Sequence, residues 1–183
     1  ASMPIGDLVY DVGLHTAEDT AYYLRKGYRV VAFEANPDLV QAARKTFAAE
    51  IAAGRLTLVE GAIADGDFDT PAVFYKDENT VWGTIVKSWA DRNLTLGSRH
   101  TTITVGKVDF HRAMGEHGAP HFIKIDVEGM DRLCLDTLGR FEDRPAYVSI
   151  ESDKVDFDAL IAEFDALDAL GYDAFKVVQQ GGI

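Results

Sequence analysis

Cysteine is all but missing: Cys134 is the single one in 183 residues. No disulfide can form within the chain, and a reduced, cytoplasmic setting is the default expectation. Nowhere does an apolar run approach the roughly 18 residues of a membrane span. The N-terminus, Ala1-Ser2-Met3-Pro4, lacks the basic and apolar regions of a secretory leader. Positive charge is scarce, with 18 Lys and Arg against 30 Asp and Glu and a net charge of −12. That balance disfavours nucleic acid, which is bound by displacing phosphate counterions with basic side chains, and disfavours an anionic membrane surface. The histidines His100, His111, His117 and His121 show no H-x-x-x-H motif with a glutamate base, which disfavours a metal, while Asp126, Glu128 and Glu151 leave an oxygen-ligand Mg or Ca site as the alternative.

What is present is ordinary for a folded enzyme-sized chain. Hydrophobic residues make up 47% and charged residues 26%, and a chain of this length buries about 70% of its unfolded surface without staples. One domain spanning residues 1–183 is expected, with a closing C-terminal strand either beyond the chain or missing. Short apolar runs alternate with helical stripes. Val9-Tyr10-Asp11-Val12-Gly13 reads as a buried strand, and Thr16 with Asp19 fits a helix-capping pair. Arg29–Glu34 reads as the next strand, and Asn36-Pro37 as a helix start whose stripe, Leu39, Val40, Ala43 and Phe47, ends at Gly54. Leu56–Val59, Ala72–Lys76, Thr101–Val108, His121–Val127, Ala146–Glu151 and Ala174–Gln179 complete the strands, with helices between them at 110–117, 130–141 and 157–170. Between residues 77 and 97 the chain is irregular; Trp82 and Trp89 there either line an acceptor pocket or anchor a long loop. The alternation predicts an α/β fold, a doubly wound and mostly parallel sheet with helices on both faces.

Such sheets bind ligands at the carboxyl ends of their strands, where strand order reverses. The first turn there is Asp11-Val12-Gly13-Leu14-His15-Thr16-Ala17-Glu18, and the second strand ends in Glu34. An acid about 20 residues after a glycine turn suits a ribose diol, which it engages with two oxygens. A dinucleotide would need G-x-G-x-x-G, but the second and third positions are His15 and Glu18, and acids beside a pyrophosphate cost energy. There is no G-x-x-x-x-G-K-[ST] loop, and the acidic first turn counts against a short-chain NAD oxidoreductase. A nucleoside without phosphate and with positive charge fits better, and S-adenosylmethionine is such a ligand.

Three segments, Val9–Gly13, Val31-Ala32-Phe33-Glu34-Ala35-Asn36-Pro37 and Phe122-Ile123-Lys124-Ile125-Asp126-Val127-Glu128-Gly129, resemble the FkbM family of S-adenosylmethionine-dependent methyltransferases. The likeness runs from about Leu8 to about Val178, and Lys124–Gly129 is its most specific piece. The first turn departs from the family's usual form, which has Ala-Asn and a second glycine where this chain has Leu14-His15 and Ala17. The resemblance implies a class I methyltransferase, Rossmann-like in fold, that uses S-adenosylmethionine to methylate a hydroxyl of a small molecule or saccharide. It implies a cofactor site of Asp11, Gly13, His15, Thr16, Glu34, Ala35, Ala62, Ile63 and Asp126. Asp11 and Gly13 would lie by the methionine portion, Glu34 at the ribose, Ile63 and Asp65 at the adenine, and Asp126 beside methyl group and acceptor.

Methyl transfer to an alcohol is chiefly a positioning task, assisted by a base that removes the hydroxyl proton. The candidates are Asp126, Glu128, His15 and Glu151. Asp126 and Glu128 share one cleft only if the strand breaks at Val127, which Gly129 permits. His15 is either a proton acceptor or a polar cover over the ligand. Lys124 either pairs with Glu151 or lies in solvent, and Cys134 falls on an apolar helical face. The rival from another class is a binding module that holds the nucleoside without turnover.

Overall fold

The computed structural model describes residues 3–77, 84–87, 100–127, 129–151 and 157–178. Trp82, Trp89, Glu128 and Gln179 lie outside the described residues. The chain divides into two units, Ala1–Glu151 and Ser152–Ile183.

In the first unit five strands form one parallel sheet in the order β3-β2-β1-β8-β9, where β1 is Ile5–Val12, β2 Arg29–Glu34, β3 Leu56–Glu60, β8 Pro120–Ile125 and β9 Tyr147–Ile150. Parallel pairing requires a crossover between neighbours, so each strand must be covered on both faces and carries a continuous apolar run. Val30, Val31, Ala32 and Phe33 are accordingly all buried. Side chains alternate across the sheet. Val30 and Ala32 pack with Leu14, Ala17, Leu24, Ala43 and Leu56 under three helices, α1 (Glu18–Arg25), α2 (Pro37–Thr46) and α3 (Ala48–Ala52). Phe33 turns the other way, its ring 5.6 Å from Tyr10 and 5.4 Å from Phe110. Phe110 opens α4 (Phe110–His117), which lies beside α5 (Asp131–Leu138). The fold is thus a doubly wound, Rossmann-like sheet with helices on both faces.

Two small sheets flank this core. β4 (Ala62–Ile63) pairs in parallel with β7 (Lys107–Val108), and β5 (Ala72–Asp77) pairs antiparallel with β6 (His100–Val105). The expected single strand over Thr101–Val108 is therefore two, parted at Gly106, because its halves have different partners. The expected helix ending at Gly54 is also two, parted at Phe47, whose backbone sits at φ −110° and ψ 30°.

Asn36 caps α2 as its side chain suggests, accepting from the Asp38 N–H at 3.1 Å, with Pro37 at the first helical position. The capping pair of Thr16 and Asp19 does not form. Ala17 occupies the N-cap of α1 in the left-handed region, and the Thr16 hydroxyl faces His15 Nδ1 at 3.2 Å instead. Strand β8 stops at Ile125, so Asp126 and Val127 stand in the loop beyond it, while Glu128 lies outside the described residues.

In the second unit α6 (Phe157–Ala169) is followed by a turn at Gly171, and Phe164 packs edge-on against Phe175 at 5.1 Å. The strand expected over Ala174–Gln179 is not formed through Val178. An apolar run is a strand only when a neighbour supplies its hydrogen-bond ladder. Among the described residues no helix is long and apolar enough to cross a membrane.

Candidate active site

The order of the central sheet reverses at β1, which has β2 on one side and β8 on the other. Crevices for ligands open above such a point. There the chain leaves β1 through Gly13, at φ +95°. A Cβ on Gly13 would stand 2.0 Å from the carbonyl oxygen of Asp126, which no side chain can satisfy. Glycine is needed here for conformation and for the close approach of two backbones. Gly13 and Leu14 donate to the Phe33 carbonyl at 3.1 and 2.9 Å, and Asp126 N donates to the Val12 carbonyl at 2.8 Å. The glycine turn is thereby stitched to the ends of both neighbouring strands.

Glu34, at the end of β2, is held by two backbone donors: His15 N–H to Oε2 at 2.9 Å and Asn36 N–H to Oε1 at 2.8 Å. Each carboxylate oxygen keeps a lone pair for a ligand. Burial pushes its pKa up, and the two backbone bonds pull against that shift. His15 adopts φ +50°, a conformation its bond to Glu34 supports, and its Nε2 is buried with no hydrogen-bond partner. A buried orphan nitrogen in a native site calls for a partner that the protein does not supply. Ala17 also takes positive φ, +65°, which for an L residue costs on the order of 1–2 kcal/mol. Its methyl packs into the core with Leu14 and Leu24, so the lost second glycine puts no bulk toward the ligand crevice.

Asp11 is fully buried beneath this turn. Thr20 donates to its Oδ2 at 2.6 Å, and Lys124 Nζ donates to its Oδ1 at 3.3 Å. Lys124 also donates to the Gly13 carbonyl at 3.1 Å and lies 3.2 Å from Asp19 and 3.7 Å from Asp126. The lysine therefore sits among three carboxylates, neither in solvent nor simply against Glu151. Burial draws its pKa down, but the charges of Asp11, Asp126 and Asp19 outweigh burial, and the net direction is up. Asp126 is pushed up by burial, pulled down by Lys124 and pushed up again by Glu151. Neither Asp19 nor Asp131 stood out as a candidate base. Asp131, in the first turn of α5, accepts from Val127 N–H at 3.2 Å and is pushed up to about 6 by burial. An acid in the first helical turn, two residues after Gly129, is its sequence signal.

The remaining candidates fall nearby or in the core. Thr16 is exposed beside His15, and Ala35 follows Glu34. Ala62 and Ile63 are each 4% exposed, Ala62 packing with Phe74 and Val105. Asp65 is exposed and accepts from Gly66 N–H at 2.8 Å. Cys134 is wholly buried, and its thiol pKa is driven up by that burial. Among the described residues, no three His, Cys, Asp or Glu side chains converge as metal ligands. A cavity of about 260 Å³ opens elsewhere, lined by Val59, Lys107, Arg112 and His117 among others, and Gly13, Glu34 and Asp126 do not border it.

The residues at the crevice fit S-adenosylmethionine. The oriented Glu34 carboxylate suits a diol, the orphan His15 Nε2 suits a polar ligand atom, and the acids around Lys124 suit a cation. Glu18 and Asp19 in the first turn of α1 would repel a pyrophosphate. No curated protein matches the chain. Among solved structures, the precorrin-6y C5,15-methyltransferase of Geobacter metallireducens GS-15 is similar at 16% identity and a TM-score of 0.49; the likeness covers 93% of this chain and 64% of that one. This chain thus spans less than two thirds of that structure's length. The family model described as the methyltransferase FkbM domain matches residues 11–174, nearly the whole chain, which therefore belongs to the FkbM methyltransferase family.

Proposed function

We propose that this methyltransferase, as one domain, methylates a hydroxyl oxygen of a neutral small molecule or saccharide, with Asp126 as the base. The observation that carries the reading is the Asp126 carboxylate, 38% exposed beyond the end of β8 and in ion-pair range of Lys124 at 3.7 Å. Bound S-adenosylmethionine supplies an electrophilic methyl group on a positively charged sulfur. Glu34 holds the ribose hydroxyls, and Ala35 lines that end of the crevice. The Gly13 turn lets the backbone approach the amino-acid portion, with Asp11 bracing it from below through Lys124. His15 and Thr16 cover the ligand, and His15 Nε2 gains the partner it lacks. Ala62 and Ile63 border the adenine. Asp126 accepts the hydrogen bond of the acceptor hydroxyl and takes its proton as the oxygen becomes a nucleophile. Because burial raises its pKa, Asp126 is a stronger base than an exposed aspartate. A carboxylate-rich edge accepts from neutral hydroxyls and repels anionic acceptors. Glu128 stands two residues on as an alternative base.

A module that binds without turnover would draw support from the altered first turn. Ala17 buries its methyl in the core and His15 leaves a nitrogen free, an arrangement that favours a working crevice. The test is transfer of labelled methyl from S-adenosylmethionine to a panel of neutral saccharides and small alcohols. Formation of an O-methyl ether, cut about 100- to 10,000-fold in Asp126→Asn with S-adenosylhomocysteine affinity kept, supports the reading. Cofactor binding without transfer to any alcohol, or transfer unaffected by Asp126→Asn, overturns it.

A further inference from the structure

A side chain serves a reaction only if the backbone beneath it stays put. Two peptide N–H groups flank the Asp126 α-carbon, and both are tied. Asp126 N–H donates to the Val12 carbonyl at 2.8 Å, and Val127 N–H donates to Asp131 Oδ1 at 3.2 Å. The first bond extends the ladder between β1 and β8 one residue past the strand end. The second comes from a side chain, because the chain has left the sheet and its N–H still needs an acceptor. Between the two bonds the chain lies across Gly13. A Cβ on that glycine would stand 2.0 Å from the Asp126 carbonyl oxygen and 3.5 Å from Val127 Cγ1. Asp131 reaches back to Val127 over a turn that Met130 N–H closes on the Val127 carbonyl at 2.8 Å, with Gly129 at φ +84°.

We propose that Asp131 is a positioning residue of the methyl-transfer edge: it accepts the N–H of the peptide that follows Asp126 and so fixes where the Asp126 carboxylate stands. The proposal rests on the reading of Asp126 given above. Without Asp131 the half-buried Val127 N–H loses its partner, and the loop is free to turn in search of another. An asparagine would accept the same N–H, but an ionised carboxylate accepts it about twice as strongly. That grip is gained against burial, which favours the neutral acid, and against the charges of Asp126 beyond β8 and Glu151 beyond β9. Cys134, further along α5, feels the Asp131 charge in turn. The clamp therefore tightens as pH rises through about 6, where Asp131 ionises.

The experiment pairs amide NMR with kinetics in Asp131→Asn, which keeps the acceptor, and Asp131→Ala, which removes it. In the parent, the Val127 amide proton should move downfield as pH rises through about 6, following the Asp131 carboxyl. Its hydrogen exchange should be slow in the parent and in Asp131→Asn, and fast in Asp131→Ala. With an alcohol acceptor, kcat should fall about 10- to 100-fold in Asp131→Ala, the cost of a small misplacement. Asp131→Asn should recover most of that loss, and S-adenosylhomocysteine affinity should hold in both. Equal losses in the two variants overturn the proposal, because a merely structural or electrostatic role would not be rescued by the amide. A Val127 amide as protected in Asp131→Ala as in the parent overturns it without any acceptor in hand. If Asp131→Ala does not fold, a Val127 resonance in the parent that ignores pH between about 4 and about 8 overturns it. Transfer lost in Asp126→Asn but untouched in Asp131→Ala keeps the base and sinks the clamp. Transfer untouched in both, with the Val127 changes present, keeps the clamp and sinks the base.

Discussion

Asp131 carries a charge that the fold resists. Its carboxyl is pushed up to about 6 by burial, from an ordinary value of 3.8. The folded state prefers the neutral acid, so this stabilising preference is complete below the ordinary value and is lost as pH rises through about 6. Asp131→Asn keeps an acceptor for the Val127 N–H and carries no charge. It is expected to match the parent in urea denaturation near pH 4 and to be more stable near pH 8 by on the order of 2 kcal/mol. Equal midpoints at both pH values would return Asp131 to solvent. Glu34 makes a different kind of contribution, to ligand and to turn together. Glu34→Ala should weaken S-adenosylhomocysteine binding by roughly 1.5–3 kcal/mol, or about 10- to 150-fold by calorimetry. Glu34→Gln, which retains one acceptor, should lose less. Unchanged affinity in both would exclude a ribose contact.

The first two helices begin in opposite ways. Asn36 caps α2 with its side chain, whereas α1 starts from Ala17 with no side-chain cap. Asn36→Ala should therefore cost about 1 kcal/mol, as lost caps do, and Thr16→Ala should stay within about 0.5 kcal/mol, as exposed positions do. Chemical denaturation of the two variants compares them directly; a costly Thr16→Ala would restore the capping pair. This contrast also marks how far elements can be read from residues. The bounds of β2 and the cap of α2 are local: a continuous apolar run, then an asparagine before a proline. The break at Gly106, and the pairing of the two-residue strands β4 and β7, depend on partners far along the chain. The site divides likewise. Gly13, Glu34 and Asp126 stand out because strand ends do, but the acids around Lys124 come from β1, α1 and the loop past β8, and no spacing announces that meeting. Nor does any local pattern reveal an orphan nitrogen on His15.

At the scale of the whole molecule, the parallel sheet puts every strand end of one sense at one edge, and the reversal at β1 opens that edge. The same topology has a cost in time. β1 meets β2 early in the sequence, but its other neighbour is β8, and the ion pair that joins them, Lys124 to Asp11, spans 113 residues. Closing so long a loop pays its entropy before any contact returns it, and pairings of high sequence separation form slowly. In stopped-flow refolding, the far-ultraviolet circular dichroism of the helices and of the β1-β2-β3 layer should recover first. Competence to bind S-adenosylhomocysteine should return only in the slowest phase; binding that recovers in step with the earliest signal would contradict this order. A chain still emerging from the ribosome would carry Gly13 and Glu34 for as long as residues 35–125 take to follow. Until Asp126 arrives it has half a crevice and lacks the proposed base, so in the life of each molecule the complete crevice is among the last features to exist.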